Sequence, residues 1–64
     1  MTQEEKYEFI KKEINNEINR LEQLESERLS CEDYAGALCC KSERQACLKI
    51  WNIVCIAEDF NDNQ

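Results

Sequence analysis

One segment of the chain, Ala35 to Phe60, reads AGALCCKSERQACLKIWNIVCIAEDF. It contains no proline, and its single glycine, Gly36, lies near its start. At about 100° per residue, five of its polar side chains fall within an arc of roughly 80°. Those five are Lys41, Gln45, Lys49, Asn52 and Asp59. This pattern predicts one long amphipathic helix.

The apolar side of this helix is wider than one neighbour can cover. Its apolar residues spread over roughly 220° opposite the polar arc, and the contact stripe with a single helix takes up about half of that. We therefore expect the helix to pack against an earlier helix of the same chain and against something more.

The first thirty residues predict that earlier helix. Thr2 and Glu5 have the spacing of a capping box at its start. An apolar stripe roughly 140° wide follows at helical spacing, formed by Tyr7, Ile10, Ile14, Ile18, Leu21 and Leu24. Spacing along the outer face predicts three local ion pairs: Glu8–Lys12, Glu17–Arg20 and Glu25–Arg28. The result is an amphipathic helix with one buried face.

The helical pattern is interrupted near Leu29 and Ser30. Ser30, followed by Asp33, resembles a second N-cap. We predict helix 1 over about 3–28, a turn over about 29–31, helix 2 over about 32–59 and a frayed tail over 60–64. One continuous helix is the competing interpretation, because neither glycine nor proline marks a stop.

The predicted fold class is therefore all-α. Residues 1–64 form a single two-helix antiparallel hairpin, completed into a bundle by dimerisation or by a partner protein. A chain of 64 residues is marginal alone, because so short a sequence buries little apolar surface.

Charge and hydropathy narrow the possible partners and the location. The net charge is −6, which argues against nucleic acid and against anionic membrane surfaces as ligands. The N-terminus has neither the basic region nor the apolar region of a signal peptide. The longest apolar run, 53–57, is too short to span a membrane. We predict a cytoplasmic protein.

Five cysteines in so short a chain are unusual, and they allow three interpretations. They are Cys31, Cys39, Cys40, Cys47 and Cys55. Reduced thiols can serve as small core residues. Soft thiolates lining a bundle could hold Cu(I), although the sequence lacks histidine and the spacing of a zinc site. Disulfides between chains are the third possibility, although a cytoplasm keeps thiols reduced.

We expect no enzymatic activity and no cofactor. The sequence has no histidine to act as a base, no glycine-rich phosphate loop and no nucleophile elbow. Paired acids at the helix ends are explained by the helix dipole and by solvation.

The candidate functional residues lie on helix 2. Trp51 is foremost, either as a core side chain or as an interface anchor, since tryptophan is enriched at hot spots. Glu43 and Arg44 interrupt the apolar arc, so each should meet an opposite charge. The predicted partner-binding set is Leu48, Trp51, Cys55, Glu43, Arg44 and Ile53. The predicted core consists of the helix 1 stripe together with Cys40, Cys47, Ile50 and Val54.

A family resemblance adds one functional alternative. Asp33-Tyr34 at the start of helix 2, followed by Cys47-Leu48, Ile50-Trp51 and Val54 on one face, is similar to the second helix of the YscE-like co-chaperones of type III secretion needle subunits. The residues themselves predict a small acidic interaction module, such as an inhibitor, an adaptor or a co-chaperone, of the kind that phages and mobile elements encode. A homodimeric four-helix bundle with a structural or thiol- or metal-binding role is the remaining alternative.

Overall fold

The structure, a computed structural model, describes residues 1–62 and consists of two helices. Helix α1 spans Gln3–Ser30 and helix α2 spans Tyr34–Asp62. They pack against each other as an antiparallel hairpin, which confirms the two-helix fold and excludes one continuous helix. The hairpin is a flat rod of 49 × 18 × 10 Å. Its radius of gyration is 14.9 Å, against about 11 Å for a compact domain of this length.

Helix α1 begins where its sequence predicts. Thr2 is the N-cap, and its Oγ1 accepts a hydrogen bond from the Glu5 N–H at 3.1 Å. Glu4 and Glu5 lie in the first turn, where a negative charge is stabilised by the helix dipole.

The turn occupies residues 31–33, two positions later than the predicted 29–31. Ser30 is not an N-cap; it is the last residue of α1, and its Oγ donates to the Ser26 carbonyl at 3.0 Å. Glu32 adopts a left-handed conformation with φ of 60°. Its N–H donates to the Leu29 carbonyl at 3.1 Å, and the Asp33 N–H donates to the Arg28 carbonyl at 2.8 Å. These two bonds form a Schellman motif, in which the left-handed position is usually glycine.

Asp33 is the true N-cap of α2. Its Oδ1 accepts from the Gly36 N–H at 3.0 Å, and its Oδ2 accepts from Arg28 Nη1 at 2.8 Å. Gly36 permits this close approach, because a Cβ at that position would collide with the Asp33 carboxylate and lie 2.6 Å from Arg28 Cδ. The single glycine therefore serves the cap, and α2 continues beyond the predicted end at Asp59. The predicted frayed residues 63 and 64 lie outside the described residues.

Each helix presents a heptad series to the other, and every member of both series is buried or half-buried. On α1 the series is Tyr7, Lys11, Ile14, Ile18, Leu21 and Glu25. On α2 it is Ala37, Cys40, Arg44, Cys47, Trp51, Val54 and Glu58. We call these two series the inner seam. Spacings of three and four residues alternate along them, as in a two-stranded coiled coil.

The buried core of the hairpin is small. Within residues 1–60, for which burial is described, only Ile18, Leu21, Ala37 and Cys40 are buried. Of the other predicted core residues, Tyr7, Ile14, Leu24, Cys47 and Val54 are half-buried.

Two predicted core residues, Ile10 and Ile50, are instead exposed in the hairpin, by 41% and 50%. Each lies one position before an inner-seam residue, Lys11 or Trp51, so each falls on the edge of the contact and not inside it.

Glu32→Gly should stabilise the hairpin by about 0.5–1 kcal/mol, because glycine removes the left-handed strain and this gain exceeds its extra chain entropy in the unfolded state. Urea denaturation measures the change. Glu32→Ala is the matched control: it removes the same charge but keeps a Cβ at φ of 60°, and it should not stabilise. An equal gain from alanine would assign the effect to charge and not to backbone strain.

Stability should fall in acid through Asp33. The Gly36 N–H, and then Arg28, hold the pKa of this carboxyl below its ordinary value. Its contribution is therefore complete above the unfolded pKa, near 3.8, and is lost as the pH falls through the folded pKa. Asp33→Asn keeps a capping oxygen but cannot titrate, so its melting temperature should vary less with pH between about 5 and 2. Identical pH profiles for the two proteins would refute this role.

Candidate interaction surface

Two ion pairs join the helices across the inner seam. Lys11 Nζ lies 2.9 Å from Glu58 Oε1 near the open end, and Arg44 Nη2 lies 3.0 Å from Glu25 Oε1 nearer the turn. All four side chains are largely buried. The two pairs are separated by two heptads on each helix, so both report the same antiparallel register.

These pairs penalise other registers. Trp51 lies one heptad from Arg44 and one heptad from Glu58. A slip of one heptad in one direction would set Lys11 against Trp51, and a slip in the other direction would set Glu25 against it. A buried charge facing an apolar side chain is strongly destabilising. The charged positions in the inner seam therefore select the register of the hairpin.

This selection has a cost in stability. Arg44 Nε is buried and has no hydrogen-bond partner, and such an orphaned donor costs about 1–3 kcal/mol. The second ion pair joins Lys11 and Glu58. The hydrogen bond from Lys11 Nζ to Glu58 raises the pKa of Lys11, and the Glu8 carboxylate, 3.3 Å from Nζ, raises it further.

The structure confirms one of the three ion pairs predicted from spacing along α1 and contradicts the other two. Glu17–Arg20 forms as predicted, with 2.6 Å between Arg20 Nε and Glu17 Oε1. Two other pairings were wrong: Glu25 binds Arg44 and not Arg28, and Glu8 binds Lys11 and not Lys12. The cause is antiparallel packing, which places a cation of α2 beside Glu25.

The outer side of α2 carries a second heptad series. It runs Cys39, Glu43, Ala46, Ile50, Ile53, Ala57 and Phe60, again with alternating spacings of three and four. We call it the outer seam. All of its members except Ala57 are exposed, including Ile53 at 64% and Phe60 at 66%. Its only charged member is Glu43, so α2 has the pattern of a helix with two coiled-coil faces.

The outer seam is bounded on one side by a polar stripe and on the other by the edge of the hairpin. Gln45, Asn52 and Asp59 form the stripe and separate the outer seam from a smaller apolar group on the far side of α2. At the edge, Ile10 precedes Lys11 and Ala57 precedes Glu58. Because Lys11 and Glu58 pair directly, Ile10 and Ala57 lie on the same edge and extend the apolar surface.

The six predicted partner-binding residues do not form one site. Ile53 and Glu43 lie on the outer seam. Leu48 and Cys55 lie on the far side of the polar stripe, with Leu48 exposed and Cys55 half-buried. The inner seam holds the remaining two: Trp51 is half-buried level with Ile18, and Arg44 is engaged by Glu25.

Sequence reasoning missed five outer-seam residues as site candidates: Cys39, Ala46, Ile50, Ala57 and Phe60. Their heptad spacing from Ile53 was the available signal. It was obscured because α2 is apolar on several sides.

The five thiols are distributed over different environments. All are free; Cys40 is buried in the inner seam, Cys47 is half-buried there, and Cys31 and Cys39 are exposed. Among the described residues, no three cysteine or acidic side chains cluster closely enough to hold a metal ion. A shallow depression on α1, lined by Arg20, Gln23, Leu24 and Glu27, has a volume of only about 160 Å³, below the roughly 300–1,000 Å³ of small-molecule sites.

Glu25→Leu alone should destabilise the hairpin by about 2 kcal/mol, because it leaves Arg44 buried and unpaired. Adding Arg44→Leu should restore stability to at least the starting value, since leucine fills the seam without a desolvation cost. Urea denaturation of both single variants and the double variant gives the coupling energy. Additive losses in the double variant would show that the pair does not act as a unit.

Comparisons with known proteins found no match, so the surface is interpreted from its own residues. Within the part of the chain that the structure describes, neither helix has a stretch long and apolar enough to cross a bilayer. No protein-family model matches the chain, and neither the curated proteins nor the solved structures include a similar one.

Proposed function

We propose that this protein is a small acidic cytoplasmic interaction module without enzymatic activity, which binds another polypeptide through the outer face of α2. The observation that carries this proposal is the outer seam. A helix that already packs one heptad series against α1 presents a second series to solvent, and such a series fits the side chains of another helix.

The exposed area supports the same proposal. The accessible surface is 4981 Å², whereas a compact monomer of this mass has about 4,300 Å². The excess of about 700 Å² is close to the roughly 800 Å² that each partner buries in a standard specific interface. This excess is total accessible surface and follows from the elongated shape of the hairpin; part of it is the exposed apolar outer seam.

The role of such a module is inhibitor, adaptor or co-chaperone. Each role requires a surface that captures a helix of another protein and not a catalytic pocket. The YscE-like co-chaperone alternative is supported by Asp33 and Tyr34, which cap and open α2 as the resemblance implies. The homodimeric bundle is supported by the pattern of small and large residues within the outer seam.

Ile53→Asp tests the proposed surface, because it places a charge in the middle of the outer seam. The tagged Ile53→Asp variant is expressed in the host from which the protein comes and is then purified. It should no longer co-purify the polypeptide that the tagged unmodified protein binds. Asn52→Asp is the matched control: it adds the same charge one residue earlier, on the polar stripe, and should retain that polypeptide.

Circular dichroism of the purified variants separates binding from folding, since both variants should keep their helical signal. Equal recovery of the polypeptide by Ile53→Asp and by the unmodified protein would contradict the proposed surface.

A further inference from the structure

We infer that the outer seam binds a second copy of this chain, with the two α2 helices antiparallel and the two-fold axis beside Ile50. The inference rests on the proposed function, in which the outer face of α2 binds a polypeptide, and it names that polypeptide. The product is a symmetric four-helix bundle in which the broad faces of the two hairpins meet, and the two α2 helices contact each other along the outer seam.

The sizes of the outer-seam residues support this arrangement. An antiparallel pair centred on Ile50 sets Cys39 against Phe60 of the other copy and Ala46 against Ile53. Glu43 falls opposite Ala57, and Ile50 meets its own symmetry mate. Away from the axis, a small residue (Cys39, Ala46 or Ala57) thus faces a larger one in every layer, which is how facing layers fill space without voids. A two-fold interface must be complementary to itself, and this sequence is.

Other arrangements fit less well. A parallel pair would set Phe60 against Phe60 and Ala46 against Ala46, and it would bring two Glu43 carboxylates together. An antiparallel pair shifted in register by one heptad, which moves the axis to near Ile53, would leave Cys39 and Glu43 outside the contact and shorten it by seven residues. The register centred on Ile50 uses all seven outer-seam residues.

The dimensions of the hairpin suit a bundle. Its broad face measures 49 × 18 Å, a projected area of about 900 Å², which is close to the roughly 800 Å² per partner of a specific interface. Ile10 of α1, which lies on the same edge as Ala57, widens the apolar strip. The contact would also bury the surface that makes a chain of this length marginal alone.

Charge modulates the pairing and does not prevent it. Each copy carries a net charge of −6, so two copies repel each other at low salt. Within the seam only Glu43 is charged, and the positive charge of Arg20 on the same chain acts on it. Dimerisation should therefore strengthen as the ionic strength rises, because salt screens the repulsion between the two surfaces.

Sedimentation equilibrium of the reduced full chain, from low to high micromolar concentration, tests the pairing. The unmodified chain should show a reversible monomer–dimer equilibrium. Ile50→Asp should raise the dimer dissociation constant by at least about 100-fold, since it buries a pair of like charges at the axis. Leu38→Asp makes a comparable change at an exposed apolar site outside the seam and should leave the dissociation constant nearly unchanged.

Disulfide trapping provides a second measurement that does not depend on a destabilising charge. In a background with Cys31→Ser and Cys39→Ala, which removes the two exposed thiols, Ile50→Cys should oxidise to a covalent dimer. Ile53→Cys and Asn52→Cys should not, because their symmetry mates lie too far away for disulfide geometry. Preferential cross-linking through Ile53→Cys would overturn the assigned register.

The outcomes separate the two proposals. A chain that stays monomeric at all concentrations overturns the self-pairing, while the proposed function still stands if Ile53→Asp loses a co-purified polypeptide. A dimer that tolerates Ile50→Asp and fails to cross-link at position 50 overturns the self-pairing through this seam. A dimer that is lost with Ile50→Asp and trapped through Ile50→Cys supports it.

Discussion

The structure depends on one constraint: α2 carries two heptad series, and a single neighbouring helix can cover only one of them. Helix α1 covers the inner seam, which holds the hairpin in register. The outer seam, from Cys39 to Phe60, remains exposed. Of the side chains whose burial is described, those of residues 1–60, only four are buried, fewer than the six exposed members of the outer seam. In the proposed dimer, folding and binding would be coupled, because the surface that binds would also complete the core.

The inner seam shows how register is obtained at the expense of stability. Four of its thirteen positions carry charges, at Lys11, Glu25, Arg44 and Glu58, and the two ion pairs that they form exclude a slip of one heptad. Apolar residues at those positions would bury more surface but would not distinguish between registers. The unpartnered Arg44 Nε indicates the cost. A contact that covers the outer face of the hairpin would therefore add to its stability.

Much of the fold could be predicted from the sequence because the helical periodicities are clear. Helix 1 and helix 2 follow from the helical spacing of the apolar residues, while the contact beyond helix 1, expected from the width of the second apolar arc, stays a prediction. The turn was predicted two residues too early. It is formed by a Schellman motif in which Glu32 takes the left-handed position that glycine usually occupies, and the residue type gave no sign of this. An opposite charge beside Arg44 was predicted, but its identity as Glu25 and the Lys11–Glu58 pair were missed, because spacing within a single helix contains no information on its neighbour. Ile50 was assigned to the core because a wide apolar arc does not by itself show where one seam ends and the next begins.

The central claim is that a second copy of the chain covers the outer seam in solution. Methyl NMR with a soluble paramagnetic probe, applied to the reduced chain at high micromolar concentration, tests it most directly. The account predicts that the methyl groups of Ile50 and Ile53 are shielded from the probe, while those of Leu38, which is 63% exposed outside the seam, are broadened. Broadening of Ile50 and Ile53 equal to that of Leu38 at every concentration would show that a second copy does not cover the outer seam, and would contradict the account.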